Sequence, residues 1–308
     1  MAFKNILLFG AGGDSIGHYI LQALVADGSF SITALVRQSS KSAFPSSVAV
    51  TRVADGFLHD DLVKALRGQD VVISTIGMFG QAEQYKLIDA AVEAGVGRFI
   101  PSEWGMDNSD PKNQELCPIF KGKSEVETYL RSKESERFSW TAVATSIWLE
   151  WVLDVNFLDI NPTAHEVQYW HDGSHKPSLT TRAYGAQATL QLLKHPDVGK
   201  NQRIFLCPVE GSQREVVAEL EKQQRVKYSV SHVDTESIVR GAQAKWQSGR
   251  DVMAAYKLVA AGVLLPEYKA DFATAGKQPI LEQVLEMPKL TVEDIVREWV
   301  EAHPETVC

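Results

Sequence analysis

The segment Asn5-Ile6-Leu7-Leu8-Phe9-Gly10-Ala11-Gly12-Gly13-Asp14-Ser15-Ile16-Gly17 carries an apolar run straight into a glycine-rich turn. An unbroken run such as Ile6 to Phe9 is what a strand covered on both faces of a parallel sheet requires. The glycines after it allow a turn whose backbone N–H groups, with the positive end of the next helix, can face a pyrophosphate. Two strict fingerprints fail: G-x-G-x-x-G would need glycine at Ser15, and G-x-x-G-x-x-G would need it at Ile16. Read with one residue inserted, Gly10 supplies the tight turn, Gly12 or Gly13 the close backbone approach, and Gly17 the packing of helix on sheet. Asp14, Ser15 and Ile16 then bulge around the anion. A ligand-free strand-to-helix turn has the same spacing, so the assignment depends on residues beyond Gly17.

From Ser15 onward, Ile16, Ile20, Leu21, Leu24 and Val25 recur at helical spacing, and Gly28 stops the pattern. Ser31 to Val36 reads as a second strand ending in Arg37-Gln38-Ser39-Ser40-Lys41. In a dinucleotide fold this strand end meets the adenosine ribose, where an acid accepts from a free 2′-hydroxyl and Arg or Lys takes a 2′-phosphate. Arg37 and Lys41, with no acid beside them, select NADPH over NADH. Val48 to Val53, Asp70 to Ile76 and Arg98 to Ile100 read as further strands. Asp60 to Leu66 reads as a helix with His59 or Asp60 at its N-cap and Gly68 beyond its end, and Ala82 to Ala94 as one capped by Gly95. Ser74-Thr75-Ile76-Gly77-Met78 falls at the carboxyl edge of the sheet, so Thr75, Gly77 and Met78 join the candidate cofactor contacts. The alternation predicts right-handed βαβ units and an α/β, doubly wound, Rossmann-type parallel sheet.

At 308 residues the chain can form one large domain or two interlocked ones. The expectation is an NADPH-binding domain over 1–152 and a smaller mixed α/β, mainly substrate-binding subdomain over 153–308, with interleaving between them allowed. A net charge of -8 without a long basic cluster argues against a nucleic-acid partner. No apolar run approaches the roughly 20 residues of a membrane span, and the first residues lack a secretory pattern, so a cytoplasmic location is expected. Cys117, Cys207 and Cys308 are odd in number and lack metal-ligand spacing, which predicts reduced thiols and no metal site.

Lys121 to Arg131 reads as a helix and Trp140 to Thr145 as a strand, after which the alternation loosens. Pro162, Gly173 and Pro177 break the chain around a hairpin. Ser212 and Glu215 form a capping box opening a helix to about Gln223, and Asp234 or Thr235 caps another to Trp246. Met253 to Ala261 is a helix that Gly262 and Pro266 end. Thr291 opens a terminal helix whose apolar face is Val292, Ile295, Val296, Trp299 and Val300.

Arg98-Phe99-Ile100-Pro101-Ser102-Glu103-Trp104-Gly105 resembles the isoflavone reductase and phenylcoumaran benzylic ether reductase group, part of the NmrA-like atypical short-chain dehydrogenases. Every position of that group's Arg-Phe-hydrophobic-Pro-Ser-Glu-aromatic-Gly segment matches. Gln84 to Gly95 resembles the family's preceding helix, and Arg37 stands where its NADPH-selecting arginine stands. The likeness is close over the first half of the chain and holds in outline over the second. It implies an NADPH-dependent reductase with a looser glycine pattern than the strict fingerprints, and it brings Ser102 and Glu103 into the cofactor set. The family's catalytic lysine has apolar residues three and seven positions later. Lys123, followed by Val126 and Leu130, meets this; Lys121, followed by Ser124 and Thr128, does not. An ammonium there orients the cofactor and donates to a developing oxyanion.

Tyr129 and Lys133 satisfy the Tyr-x-x-x-Lys pattern of ordinary short-chain dehydrogenases. An ordinary dyad would instead place its lysine at Lys123 and its tyrosine at Ile119, ten residues or about 15 Å back along the helix, so this match is read as chance. The resemblance further implies that Thr145, Ser146 and Ile147 lie along the nicotinamide. Trp104, Trp148, Trp151, Phe157 and His171 are the candidate substrate contacts, suited to an aromatic or polyketide-like small molecule whose reacting group is an enone, quinone methide, benzylic ether or carbonyl. Taken singly, most of these rings equally suit a hydrophobic core. Two alternatives use the same scaffold: an NmrA-like regulator that senses the dinucleotide without turnover, and a non-redox isomerase or cyclase. Nothing in the sequence fixes the oligomeric state.

Overall fold

The computed structural model describes residues 2–77, 80–249 and 251–307. In chain order it runs β1 (Asn5–Phe9), α1 (Ile16–Asp27), β2 (Ser31–Arg37), β3 (Ala49–Val53), α2 (His59–Leu66), β4 (Val71–Ser74), α3 (Gln81–Ala94) and β5 (Arg98–Ile100). Next come α4 (Pro111–Leu116), α5 (Pro118–Ser132), β6 (Ser139–Ala144), β7 (Ile147–Trp148), α6 (Leu149–Asp154), β8 (Ile160–Asn161), β9 (Glu166–Trp170), β10 (Ser178–Thr180) and α7 (Arg182–Lys194). The chain ends with β11 (Gln202–Phe205), β12 (Val209–Glu210), α8 (Gln213–Gln224), β13 (Ser229–Val233), α9 (Thr235–Gly249), α10 (Val252–Leu264), α11 (Leu281–Val284) and α12 (Val292–Ala302). No helix is long and apolar enough to cross a membrane among the described residues.

The chain divides into two compact units, each assembled from separate stretches. The first comprises Met1–Trp104, Gly122–Ala144 and Arg182–Ile204; the second comprises Gly105–Lys121, Thr145–Thr181 and Phe205–Cys308.

In the first unit the sheet has the order β11-β6-β5-β4-β1-β2-β3, and the pairings among β1 to β6 are parallel. This is the expected Rossmann-type α/β sheet, with its order reversing between β1 and β4, where such sheets open a crevice beyond their carboxyl ends. The apolar run Ile6 to Phe9 is buried at every position. Leu7 and Phe9 join Leu35, Val72, Phe99 and Trp140 in one core with Leu62, Ile88, Val126 and Leu130 from α2, α3 and α5. Ile6 and Leu8 are equally buried outside that cluster, as a strand covered on both faces demands. Helix α1 ends at Gly28, whose φ of 71° places it in the left-handed region and lets its N–H reach the Leu24 carbonyl.

Several boundaries differ from the sequence reading. Helix α2 has Leu58 at its N-cap, with no side-chain cap; Asp60 and Asp61 sit in its first turn instead, where carboxylates oppose the helix dipole. Strand β4 stops at Ser74, because the next peptide turns so that both the N–H and the hydroxyl of Thr75 donate to the Phe9 carbonyl. Helix α5 starts at Pro118, three residues earlier than expected, since proline suits a first helical turn. Helices α4, α6, α7 and α11 have no counterpart in the sequence reading.

In the second unit β12-β10-β7 and β13-β9-β8 form two small sheets, and the β8/β9 pair is the expected hairpin. The expected capping box of Ser212 with Glu215 is present, Thr291 at the head of α12 forms a second with Asp294, and the Asp234 carboxylate accepts from the Ser237 N–H. Ile295, Val296, Trp299 and Val300 are the buried face of α12. Helix α10 continues through Gly262 and stops only before Pro266. The glycine there is a packing residue: a Cβ on it would stand 3.3 Å from Phe120 and 3.4 Å from Leu116.

Candidate functional site

The first unit carries a cleft of about 750 Å³ at the carboxyl ends of β1, β2 and β4. Gly10, Gly12, Gly13 and Ser15 line it from the glycine turn, Arg37, Ser39, Ser40 and Ser42 from the loop after β2, and Thr75 and Gly77 from the end of β4. The glycines divide by what surrounds them. A Cβ on Gly17 would lie 2.2 Å from Thr75 Oγ1, and one on Gly12 would lie 2.2 Å from Ser42 Oγ. Gly10, at φ 101°, would place its Cβ 2.8 Å from the Thr75 backbone. These three are demanded by the protein's own packing. Gly13 has no protein atom within 4 Å of its would-be Cβ, so that position stands open at the cleft.

Ser42 ties the loop after β2 to the turn by donating its hydroxyl to the Gly12 carbonyl at 3.0 Å. Arg52, on β3, donates to the carbonyls of Arg37 at 3.3 Å and Ser40 at 2.8 Å, holding the start of that loop. The result is a rim of hydroxyls with one exposed guanidinium, Arg37, and no carboxylate on β2 itself. Glu83 also lines the cleft, from α3, and Asp55, beyond β3, accepts the Ser39 N–H at 3.0 Å. The Ser39 hydrogen bonds hold the Asp55 carboxyl below the ordinary value, so it stays an anion that fixes the loop. Of the other predicted contacts, Asp14 is turned away from the cleft toward Arg182, whose guanidinium lies 3.4 Å off. Ile16 is buried in the first turn of α1, and Lys41 is exposed. Met78 lies outside the described residues.

After β5 the matched segment is clamped from several sides. The Ser102 N–H donates to Gln84 Oε1 at 2.8 Å, and its hydroxyl donates to the Ile76 carbonyl at 2.7 Å. Trp104, at φ 34°, donates its indole N–H to the Ser74 carbonyl at 2.9 Å. Glu103 is 1% exposed, and its carboxylate accepts from Arg203 Nη1 at 2.7 Å. Arg203 simultaneously pairs through Nη2 with Glu127 on α5, and Glu127 accepts from Arg131 at 2.8 Å. Lys123, one helical turn before Glu127, donates its ammonium to the Glu103 backbone carbonyl. Val126 and Leu130 are fully buried and Lys121 is exposed, so the spacing that separated the two lysines corresponds to opposite faces of α5. A buried charge is tolerated only when paired, and breaking such a pair typically costs ~3–5 kcal/mol. Arg203 and Glu127 were invisible to sequence reasoning, because Arg203 meets its partners across 76 and 100 residues of chain.

Tyr129 and Lys133 do not face the cleft. The Tyr129 hydroxyl donates to Asp89 at 2.7 Å, Lys133 pairs with Asp89 at 2.8 Å, and the Lys133 ammonium lies 4.6 Å from the Tyr129 ring. The motif ties α5 to α3.

In the second unit Ser146 adopts φ 53° and donates its N–H to the Gly105 carbonyl at 2.9 Å. Thr145 Oγ1, Ser146 Oγ and Trp148 Nε1 are buried with no hydrogen-bond partner among the described residues. Each such orphan costs about 1–3 kcal/mol, so three within four residues suit a polar ligand group. Ile147 instead pairs with β10. Trp151 packs on Phe157 at 5.2 Å between ring centroids, and Phe157 on Tyr256 at 6.0 Å, forming an aromatic cluster. His171 is exposed at the end of β9, apart from that cluster.

Comparison with known proteins places these features in context. The sequence profile of the NmrA-like family matches residues 3–247. Oxidoreductase aprR of Aspergillus flavus is 39% identical over 247 residues, covering 80% of this chain and 82% of the relative. Phenylcoumaran benzylic ether reductase Betv6 of Betula pendula is 28% identical over 258 residues, covering 79% and 82%. Among solved structures, an isoflavone reductase superposes with a TM-score of 0.78 at 22% identity, covering 97% of this chain and all of that one. The leucoanthocyanidin reductase–NADPH complex from Vitis vinifera gives 0.75 at 18% identity, covering 96% and 99%.

Proposed function

The chain belongs to the NmrA-like family, and on that premise we propose that it is a cytoplasmic, NADPH-dependent oxidoreductase acting on an aromatic or polyketide-like small molecule, assisted by Lys123. One observation carries the reading: the cleft beyond β1, β2 and β4 offers Arg37 and a rim of serine hydroxyls, with no carboxylate on β2, beside a glycine whose Cβ position is open. That donor set fits a 2′-phosphorylated dinucleotide and lacks, on β2, the acid that a free ribose diol customarily meets. The name of the Aspergillus flavus relative and the NADPH held by the leucoanthocyanidin reductase support the same reading.

NADPH, when bound, supplies a hydride. The chain supplies the rest. The turn from Gly10 to Ile16 receives the pyrophosphate, with Gly13 as the point of closest backbone approach, and Arg37 with Lys41 takes the 2′-phosphate. In the first unit Thr75, Gly77, Ser102 and Glu103 would border the cofactor, and in the second Thr145, Ser146 and Ile147 are the proposed nicotinamide contacts. Lys123, its ammonium anchored on the Glu103 carbonyl, donates to the substrate oxygen on which negative charge develops. The first unit carries the dinucleotide cleft, and Trp148, Trp151 and Phe157 in the second unit are the proposed substrate contacts. The benzylic ether reductase relative supports a substrate whose reacting carbon is conjugated to an arene, as a benzylic ether, quinone methide, enone or carbonyl.

Titration of the purified protein with NADPH and NADH, followed by reduced-nicotinamide fluorescence, tests the cofactor assignment. Absence of NADPH binding at micromolar concentration overturns it. NADPH oxidation against a panel of aryl enones, quinones and benzylic ethers tests turnover. Tighter binding of the oxidised cofactor with no turnover on the panel would identify a sensor instead.

A further inference from the structure

We propose that Arg203 is the positioning residue for Lys123, gripping at once the acceptor that holds the ammonium and the helix that carries it. The inference rests on the catalytic reading of Lys123 for its functional meaning and on geometry alone for its structural part.

The Lys123 ammonium is aimed by the Glu103 backbone carbonyl. The loop that carries this carbonyl is pinned on either side of it, at Ser102 and at Trp104. Here the adjoining side chain is fixed, since the Glu103 carboxylate is 1% exposed and takes Arg203 Nη1 at 2.7 Å. The same guanidinium reaches Glu127 through its other terminal nitrogen. Glu127 follows Lys123 by four positions and therefore shares its face of α5. Arg203 is itself 6% exposed, on β11 at the sheet edge beside β6. One rigid fork thus sets the distance between the loop after β5 and the helix turn bearing Lys123. A lysine would carry the charge to this place without the fixed fork, so it could not hold both carboxylates in one geometry.

The test uses the full chain without ligand, prepared with lysine carrying carbon-13 at Cε. The Lys123 signal is identified by its absence from Lys123→Ala. In Arg203→Met it should move to the position of the exposed lysines while the remaining lysine signals hold. Glu127→Gln removes one of the two anchors and should move it part of the way; this variant decides the matter if Arg203→Met does not fold. Arg203→Lys should restore the thermal midpoint more than the Lys123 signal. A Lys123 signal unmoved in the folded variants overturns the proposal.

Turnover is read in parallel with NADPH and 9,10-phenanthrenequinone as acceptor. Glu127→Gln should lower kcat by about tenfold and leave the KM for NADPH within about twofold. A displaced Lys123 signal accompanied by full turnover in Lys123→Ala would refute the catalytic role and leave the clamp standing. An undisplaced signal with turnover lost in Lys123→Ala would do the reverse.

Discussion

Thr75 lies directly against Gly17: a Cβ built on that glycine would stand 2.2 Å from the threonine hydroxyl oxygen. The hydroxyl cannot simply swing away, because it donates to the Phe9 carbonyl at 3.1 Å. Gly17→Ala should therefore overpack the junction of α1 and β4 and cost about 1–3 kcal/mol in urea unfolding. Thr75→Ala in the same chain should recover part of that loss, making the pair non-additive. Strict additivity of the two substitutions would show that the contact does not govern the cost.

Gly13→Ala is the complementary case. Its Cβ would meet no protein atom within 4 Å, so unfolding free energy should change by less than about 0.5 kcal/mol. NADPH affinity should nonetheless fall by about tenfold or more, since the methyl group fills the approach to the pyrophosphate. Equal NADPH affinity in wild type and variant would remove Gly13 from the cofactor site.

Arg37 is exposed and lines the cleft, so Arg37→Ala should leave the thermal midpoint unchanged. Its effect should be selective. Loss of charge-assisted hydrogen bonds to a 2′-phosphate predicts roughly 10–100-fold weaker NADPH binding with NADH binding unaltered. Parallel weakening of both cofactors in equilibrium titration would argue that Arg37 acts through the fold.

Tyr129→Phe separates motif from mechanism. Its hydroxyl donates to Asp89 at 2.7 Å, and losing that bond should cost about 0.5–1.5 kcal/mol. Turnover with any accepted substrate should stay within about twofold. A loss of several orders of magnitude would restore Tyr129 and Lys133 as a catalytic dyad.

His175 supplies a pH signature. Burial pushes its imidazole below the ordinary value, against the opposing pull of Asp271, Glu210 and Glu267. The unfolded chain therefore binds a proton from about pH 6.5 downward while the folded chain resists it, so stability falls as pH drops through that window. His175→Gln should flatten this dependence, narrowing the gap in thermal midpoint between wild type and variant as the pH is lowered from about 6.5. Parallel midpoint curves would place the acid sensitivity elsewhere.

These predictions draw on features of unequal visibility in the sequence. The parallel sheet was legible because Ile6 to Phe9 and the strands β4, β5 and β6 are buried at every position, and burial of that kind demands largely apolar runs. The helix caps at Gly28, Ser212 and Thr291 were legible because their chemistry is local. Helix α7 was not: it is buried on nearly every side, so its apolar residues show no stripe from which a period can be read. Gly262 misled as a stop signal, because its reason is a neighbouring phenylalanine and leucine far along the chain. Lys123 could be singled out by its spacing to Val126 and Leu130. The fork that aims it could not, since Gln202-Arg203-Ile204-Phe205 reads as an unremarked short strand until its partners are known.

The discontinuous make-up of the units has a consequence for how the molecule is born. A ribosome that has released residues 1–181 has delivered the glycine turn, Arg37 and Lys123, yet α7, which packs along α1, and Arg203 are still to come. The second unit is also waiting, with Thr145–Thr181 emerged and everything from Phe205 onward unmade. Neither unit can therefore finish folding on the nascent chain before the other has begun, and a premature stop between them yields two unfinished cores. The large sheet gains its last strand, β11, only after the return segment Arg182–Ile204 has emerged.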